Sequence, residues 1–229
     1  MSIPKTLPAR KFLHDNGLSI ALFLLFAVSQ IGLTFVGNAQ FNHDRTDHGQ
    51  QPVDYWSYVD SSEFLETTME NWESEFLQMF AYVLLTAFFY QRGSAESKVI
   101  GEKAEVDADP RKAEMTRDTP WPVKRGGWIL KIYENSLSLA LFSLFLISFF
   151  LHAVGGAGAY NHQQLQHGGE TVTTLGYMIT SQFWFESLQN WQSEFFSIGM
   201  MVVLSIVLRQ RGSPESKPVA MAHAESPSS

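Results

Sequence analysis

Residues 17–37 read GLSIALFLLFAVSQIGLTFVG, an apolar stretch without a single charged residue. A helix of about 20 apolar residues crosses the hydrocarbon core of a bilayer. A second long stretch, residues 136–157, is interrupted only by His152. Two shorter apolar runs reach roughly 19 residues, enough to span, when they are extended back to Trp72 and Trp191. The sequence therefore predicts an all-α membrane protein with four transmembrane helices, at about 17–37, 72–91, 136–157 and 191–210.

The basic residues are distributed unevenly along this pattern. Of the 16 Lys and Arg residues, all but Arg45 lie before the first predicted helix, between the second and third, or after the fourth. Because cytoplasmic segments of membrane proteins are rich in Lys and Arg, both termini and the central linker are expected in the cytoplasm. The net charge of −7 argues against a nucleic-acid partner, and the lack of cysteine excludes disulfides and thiolate metal sites.

The two halves of the chain match each other. When the sequence is shifted by 119 residues, 32 of the 83 positions from Asn16 to Lys98 are identical. Two spans per repeat give parallel repeats, related by a pseudo-two-fold axis along the membrane normal. Because the third span is a copy of the first, a cleaved signal peptide is disfavoured. The predicted domains are a two-span repeat at 11–98, a flexible cytoplasmic linker at 99–124, a second two-span repeat at 125–217 and a disordered tail at 218–229.

The helix ends and the outer extensions can also be predicted. Asn16 and Asn135 precede the first helix of each repeat and are expected to be N-caps. Apolar spacing near 3.6 residues continues outward to about residue 61, so the second helix of each repeat should extend beyond the membrane. In the first repeat this extension carries glutamates that we interpret as a solvated face. They are Glu63, Glu66, Glu70 and Glu73. His152 lies outside the duplicated pattern and is a candidate axial haem ligand.

A polar helix face occurs twice beside the apolar runs, as NWESEF at 71–76 and NWQSEF at 190–195. Residues at i, i+3 and i+4 share one face of a helix. The candidate outer-face site therefore consists of Asn71, Ser74, Glu75, Asn190, Ser193 and Glu194. A carboxylate at this depth must be paired, hydrated or protonated. The two faces either join the hairpins by hydrogen bonds or let Glu75 and Glu194 share a proton or a cation.

Each outer segment carries the pattern Asn-His-x4-His-Gly. The histidines are His43, His48, His162 and His167. Because imidazole and carboxylate groups suit zinc or iron, these histidines with Glu75 and Glu194 form a candidate metal site. A spacing of five residues in a loop is not a specific metal signature, so histidines with structural roles are the alternative.

The motif QRGSxESK ends both repeats. Its glycine suits the left-handed position after a helix, and its arginine suits the helix C-terminus and the headgroups. Both copies also share Ser-x-Glu-Ser-Lys after the glycine, where a helix end does not require it. This identity predicts that the motif docks against neighbouring helix ends on the cytoplasmic side. Its residues are Arg92, Gly93, Glu96, Lys98, Arg211, Gly212, Glu215 and Lys217.

Together, NWxSEF and QRGSxESK resemble the motifs of an uncharacterised family of bacterial integral membrane proteins known only as a domain of unknown function. The resemblance covers residues 11–98 and 125–217. It implies a location in the bacterial cytoplasmic membrane, and it implies no activity, cofactor or catalytic residue.

Three functions are compatible with these features. The first is a non-enzymatic structural or partner-binding protein of the cell envelope, whose partners are the lipid bilayer and other membrane proteins. The second is a protein that binds a metal or redox cofactor at the outer-face His and Glu residues. The third is a small conduit for protons or ions along the pseudo-axis. The sequence contains no nucleotide-binding loop, nucleophile triad or dinucleotide fingerprint, which disfavours the corresponding enzymes.

Overall fold

The computed structural model describes residues 8–227, with side chains from residue 11 onward. The ends of the predicted cytoplasmic N-terminus and of the predicted tail, residues 1–7 and 228–229, lie outside this range. The described residues form helices and no strand, which confirms the all-α prediction. The helices are α1 (Pro8–Asp15), α2 (Gly17–Asp47), α3 (Tyr55–Val59), α4 (Ser62–Phe88), α5 (Trp121–Arg125), α6 (Gly127–Glu134), α7 (Ser136–Gln166), α8 (Thr174–Tyr177) and α9 (Ser181–Val207). Two 3-10 turns, Glu105–Asp107 and Pro110–Lys112, lie between α4 and α5.

Two of the described helices, α2 and α7, are long and apolar enough to cross a membrane. Each has 31 residues, about 46 Å at 1.5 Å per residue, which exceeds the roughly 30 Å hydrocarbon core. Helices α4 and α9 have 27 residues each, and their polar N-terminal halves leave them short of the same apolarity. No residue of α2 is buried in the chain, whereas α7 buries one face.

The helix boundaries recur along the chain. Helix α7 begins 119 residues after α2, and α9 begins 119 residues after α4. A hydroxyl side chain caps the start of α4 and of α9. Ser61 accepts from the Phe64 amide, and Thr180 accepts from the Phe183 amide. The helices therefore start at positions that the duplicated sequence shares.

The two asparagines expected to be N-caps have another role. Asn16 donates from its side-chain amide to the Phe12 carbonyl at 2.9 Å, and Asn135 donates to the Lys131 carbonyl at 2.9 Å. Neither side chain caps the helix that follows. Both asparagines occupy the N-cap position, but the capping prediction is wrong because a short helix precedes each of them and each side chain donates back to a carbonyl of that helix.

The chain forms two compact units that divide between Leu65 and Glu66. In the first unit, Asn42 holds Val53 by two hydrogen bonds of 2.7 and 2.9 Å. The ring of Tyr58 packs so closely on Gly37 that a Cβ there would meet its hydroxyl at 2.0 Å. These contacts fold the segment after α2 back along the end of that helix.

The second unit repeats the same local arrangement with the duplicated residues. Asn161 holds Val172 by two hydrogen bonds of 2.7 and 2.8 Å. Tyr177 packs on Gly156, where a Cβ would lie 2.3 Å from its ring. With Phe183 and two alanines of α7, Tyr177 forms the apolar core of this unit. The core therefore joins α7, α8 and α9.

Candidate functional site

The second unit contains a cluster of ionisable side chains on three helices. Glutamates 66, 70 and 73 lie on one face of α4, since their spacing is i, i+4, i+7. His152 comes from the buried face of α7, and Glu186 comes from the second turn of α9. Because these residues lie on packed helices, the backbone fixes their positions.

The imidazole of His152 is fully buried and is oriented by a carboxylate. Its Nδ1 lies 2.7 Å from Oε2 of Glu73, which is also fully buried. The other oxygen of Glu73 accepts a hydrogen bond of 2.8 Å from Nε1 of Trp191. A carboxylate held in this way accepts a proton from Nδ1, so the neutral ring carries its hydrogen on Nδ1 and its lone pair on Nε2.

The second ring nitrogen of His152 has no hydrogen-bond partner. It lies 3.4 Å from Oε2 of Glu186, beyond the roughly 2.7–3.2 Å of an N–H···O hydrogen bond. Phe183 stacks on the imidazole, with ring centroids 4.9 Å apart. Nε2 therefore points at carboxylate oxygen and stays unsatisfied, although buried polar atoms are nearly always paired.

A tyrosine links the two remaining carboxylates of this cluster. The hydroxyl of Tyr177 lies 2.5 Å from Oε2 of Glu186 and 3.2 Å from Oε1 of Glu66. Tyrosine has one hydroxyl proton to donate. Because the contact to Glu186 is shorter, that proton lies toward Glu186, and the oxygen of Glu66 needs a proton or a cation of its own.

Burial and neighbouring groups shift the pKa values of these carboxyl groups in different directions. Burial and the charge of Glu186 raise the pKa of Glu66 to about 7. Burial alone would raise the pKa of Glu186, but the positive charge of a protonated His152 ring and the Tyr177 hydroxyl outweigh it and lower that pKa. Burial also raises the pKa of Glu70 and that of Tyr177. At neutral pH Glu186 is therefore ionised, while Glu66 is poised between its two forms.

The cluster carries an excess of acidic groups. Four carboxyl groups surround one imidazole, and none of their described ion pairs involves Lys or Arg. Glu70 accepts a hydrogen bond of 2.5 Å from the uncharged side-chain amide of Asn190. Buried carboxylates without a cation are costly, so this arrangement is suited to a positive ion.

Three of these side chains have the geometry of metal ligands. Glu66, His152 and Glu186 each offer one donor atom, and these atoms lie within 4.8 Å of one another. Transition-metal bonds of about 2.0–2.2 Å place ligand atoms roughly 3–4.3 Å apart. A contraction of about half an ångström would complete the site.

Of the six residues expected at the outer-face site, Asn190 joins this cluster through Glu70. The side chains of Asn71, Ser74 and Ser193 instead donate to carbonyls of their own helices. The side chain of Glu75 is exposed and that of Glu194 is half-buried. Between α4 and α9, Gln78 donates to the carbonyl of Glu194 and to the hydroxyl of Ser197.

The four histidines of the outer segments have local partners. Nδ1 of His48 lies 2.7 Å from the Asp44 carbonyl, and Nδ1 of His167 lies 2.9 Å from the Gln163 carbonyl, so both rings close a helix end. His43 pairs with an aspartate one turn later at 3.0 Å, and His162 contacts Gln166 at 3.2 Å. None of the four belongs to a described group of three potential metal ligands.

The two copies of QRGSxESK form the same turn. Gly93 and Gly212 adopt φ of 81° and 87°, which only glycine adopts readily. The amides of Gln91 and Gln210 each donate 2.8 Å bonds to the second serine of their own motif. Arg92 and Arg211 are exposed.

Polar residues of the same motif tie it to its surroundings. Glu96 accepts a hydrogen bond from Tyr82, whereas Glu215 is exposed. Lys98 donates to the Ala87 carbonyl at 3.0 Å and pairs with Asp107. Lys217 is 1% exposed and donates to the carbonyls of residues 222, 223 and 225.

The interpretation of the α4 glutamates as a solvated helix face is wrong, since Glu73 is fully buried and Glu66 and Glu70 are half-buried. Sequence reasoning missed the cluster because it favoured positions kept in both repeats. The five ionisable residues of the cluster all differ from their counterparts. Glu66, Glu70, Glu73, His152 and Glu186 correspond to Phe185, Gln189, Gln192, Leu33 and Thr67. The supporting residues Tyr177, Asn190 and Trp191 are the duplicated ones. Charged residues present in one copy, at positions on helix faces that pack, were the available signal.

Comparison with known proteins gives a family without an assigned activity. No curated protein and no solved structure shows a significant match to the chain. A family model described as a domain of unknown function, DUF6766, matches residues 9–228, so the chain belongs to this family.

Proposed function

We propose that the protein is an integral membrane protein that binds a divalent transition-metal ion through His152, Glu66 and Glu186. The observation that carries this proposal is the unpartnered Nε2 of a fully buried histidine, 3.4 Å from a carboxylate oxygen. A cluster of acidic residues alone does not indicate a bound ion, whereas a buried nitrogen without a partner does.

The contact between Nε2 and Glu186 requires a positive charge. With the proton on Nδ1, Nε2 presents a lone pair, and the ionised Glu186 presents lone pairs of its own. Two acceptors repel each other at this distance unless a proton or a metal ion lies between them. A proton on Nε2 would make this contact an ion pair at 3.4 Å, longer than an ordinary hydrogen bond, whereas a metal ion would bind both groups as ligands.

The second-shell arrangement favours the metal ion. Histidine ligands commonly donate their other ring N–H to a carboxylate, which fixes the tautomer and raises the basicity of the ligating nitrogen. Glu73 has this position and is itself held by Trp191. One imidazole and two carboxylates suit Mn(II), Fe(II), Co(II) or Zn(II), whereas Ca(II) and Mg(II) prefer oxygen alone and Cu(I) prefers sulfur.

The architecture that we propose is a four-span protein of the bacterial inner membrane with both termini in the cytoplasm. The 27 residues of α4 and of α9 give about 40 Å, long enough to cross with an outer extension. The recurrence of helix boundaries after 119 residues supports parallel repeats about a pseudo-two-fold axis. The positions of the basic residues support the orientation.

Cysteine labelling tests this topology, since the chain has no cysteine of its own. A membrane-impermeant maleimide should label Glu170→Cys in intact cells. It should label Ala108→Cys, in the central linker, only after permeabilisation. Labelling of Ala108→Cys in intact cells would refute the orientation.

A metal site of this kind favours the cofactor-binding hypothesis over a purely structural role. Its proposed ligands are His152, Glu66 and Glu186 instead of the four outer histidines with Glu75 and Glu194. The conduit hypothesis has less support, because Phe183 and Trp191 contact the cluster and the apolar core lies next to it. Contacts with lipid and with other membrane proteins remain compatible with the exposed apolar surface of α2.

Metal binding can be measured on the purified protein. Isothermal titration calorimetry and elemental analysis should give one Mn(II), Co(II) or Zn(II) ion per chain for the wild type. Glu66→Gln combined with Glu186→Gln should lose that ion. The matched control, Glu75→Gln combined with Glu194→Gln, removes two carboxylates from the same helices and should retain it. Equal loss in both double variants, or no binding in the wild type, would refute the proposal.

A further inference from the structure

We infer that the metal ion at His152, Glu66 and Glu186 keeps a coordination position open for a ligand of two or three atoms, such as a diatomic gas or azide, and that Tyr177 donates a hydrogen bond to that ligand. This inference rests on the proposed metal binding. It assigns the centre to the reactive rather than the structural class of metal sites.

The number of protein donors sets the number of open positions. Three side chains converge as ligands. Both oxygens of Glu73 are engaged, one with His152 and one with Trp191, and Glu70 is engaged with Asn190. Mn(II), Fe(II), Co(II) and Zn(II) take about four to six ligands, and sites with three protein ligands are those that bind water or substrate.

The site is partly exposed to its surroundings on the side of α9. His152 and Glu73 are fully buried, whereas 18% of the Glu186 side chain is exposed. Gln182, one turn earlier, is exposed and donates to the second oxygen of Glu186 at 2.9 Å. An external ligand can therefore approach past an uncharged amide, along the carboxylate that also binds the metal.

The surroundings of the site restrict the ligand to a small one. Phe183 covers one face of the His152 ring. The core residues Ala153, Ala157, Tyr177 and Phe183 pack against one another beside it. Because protein cores are packed to the density of organic crystals, a larger organic substrate would have to displace these side chains, whereas two or three atoms would not.

Tyr177 is placed to interact with such a ligand. Its hydroxyl lies within 3.2 Å of an oxygen of each metal-binding carboxylate, Glu66 and Glu186. If metal coordination takes up the lone pairs of those oxygens, the hydroxyl proton can turn toward the remaining position. Gly156 permits this placement, since a Cβ would lie 2.8 Å from the Tyr177 hydroxyl oxygen.

Nitric oxide binding to the iron-loaded protein tests the inference. The full-length protein in detergent is loaded with Fe(II) without oxygen and then treated with nitric oxide. The wild type should form about one iron–nitrosyl complex per bound iron, seen as a high-spin EPR signal. In Tyr177→Phe, the fraction of bound iron that carries azide or nitric oxide should correspond to about tenfold weaker binding of that ligand, as expected for one lost hydrogen bond of about 1.4 kcal/mol.

The control is Tyr58→Phe, which removes a hydroxyl at the equivalent position of the first repeat and should leave iron and nitric oxide binding unchanged. Iron that binds but forms no nitrosyl complex would overturn the inference while leaving metal binding intact. Equal affinities in Tyr177→Phe and wild type would overturn the role of the hydroxyl. Failure of the wild type to bind iron, cobalt, zinc or manganese would overturn both proposals.

Discussion

Substitution of Glu73 by glutamine gives a specific test of how the metal site is organised. Glu73 is not a proposed ligand, since one of its oxygens accepts from Nδ1 of His152 at 2.7 Å and the other from Trp191 at 2.8 Å. Both neighbours are donors, so a carboxylate satisfies both and an amide can satisfy only one. In Glu73→Gln the amide nitrogen must face either Trp191 or the imidazole.

Either orientation of the glutamine weakens the metal site. An amide nitrogen facing Nδ1 shifts the ring hydrogen to Nε2 and removes the lone pair that binds the metal. An amide nitrogen facing Trp191 leaves a buried N–H unpaired, which costs about 1–3 kcal/mol. Loss of a second-shell carboxylate typically weakens metal binding about 10- to 100-fold, or about 1.4–2.8 kcal/mol.

Competition titration with a fluorescent chelator measures this change in Zn(II) affinity. The ¹⁵N chemical shifts of His152 in the metal-free protein report the tautomer, which a purely structural defect would not change. The control Glu75→Gln alters an exposed carboxylate two residues away and should have the wild-type affinity. Wild-type affinity in Glu73→Gln, with the ring hydrogen still on Nδ1, would refute the reasoning.

Three further substitutions or titrations test the surrounding structure. Gly156→Ala should lower the free energy of unfolding by about 1–3 kcal/mol and lower the melting temperature, because its Cβ would meet the Tyr177 ring. The control Gly199→Ala, with nothing within 4 Å of its Cβ, should leave both quantities unchanged. Equal effects of the two substitutions would contradict this packing. The protonated carboxyl of Glu66 should titrate near pH 7 in infrared spectra of the metal-free protein, with the neutral form below that pH and the ionised form above it; a band that persists in Glu66→Gln would assign the titration elsewhere. Asn161→Ala should speed backbone amide hydrogen exchange in the segment around Val172, which Asn161 holds after α7. Unchanged exchange would show that these two hydrogen bonds do not stabilise the segment.

Much of the helical architecture follows from local sequence signals. The uncharged run from residue 17 and the run from residue 136 correspond to the two helices that are long and apolar enough to cross a membrane. Periodicity near 3.6 extends these signals beyond the apolar runs. The caps at Asn16 and Asn135 were not predictable from propensity, because the same amide side chain can serve the end of one helix or the start of the next.

The buried cluster depends on contacts that local patterns do not contain. Glutamates spaced i, i+4, i+7 describe a solvated helix face and an interhelical site equally well. The deciding fact is that α7 packs His152 against Glu73, which is 79 residues away in sequence. The repeats pointed to Asn190 as part of the duplicated polar face, but the ionisable residues of the cluster are those that the repeats do not share.

The most direct test of the metal site is a crystal structure of the manganese-loaded protein, with anomalous scattering used to locate the ion. A peak about 2–2.3 Å from Nε2 of His152, with Glu66 and Glu186 as the neighbouring carboxylates, is the predicted result. A peak between Glu75 and Glu194 or at the outer histidines, or the absence of a peak at His152, would contradict the account.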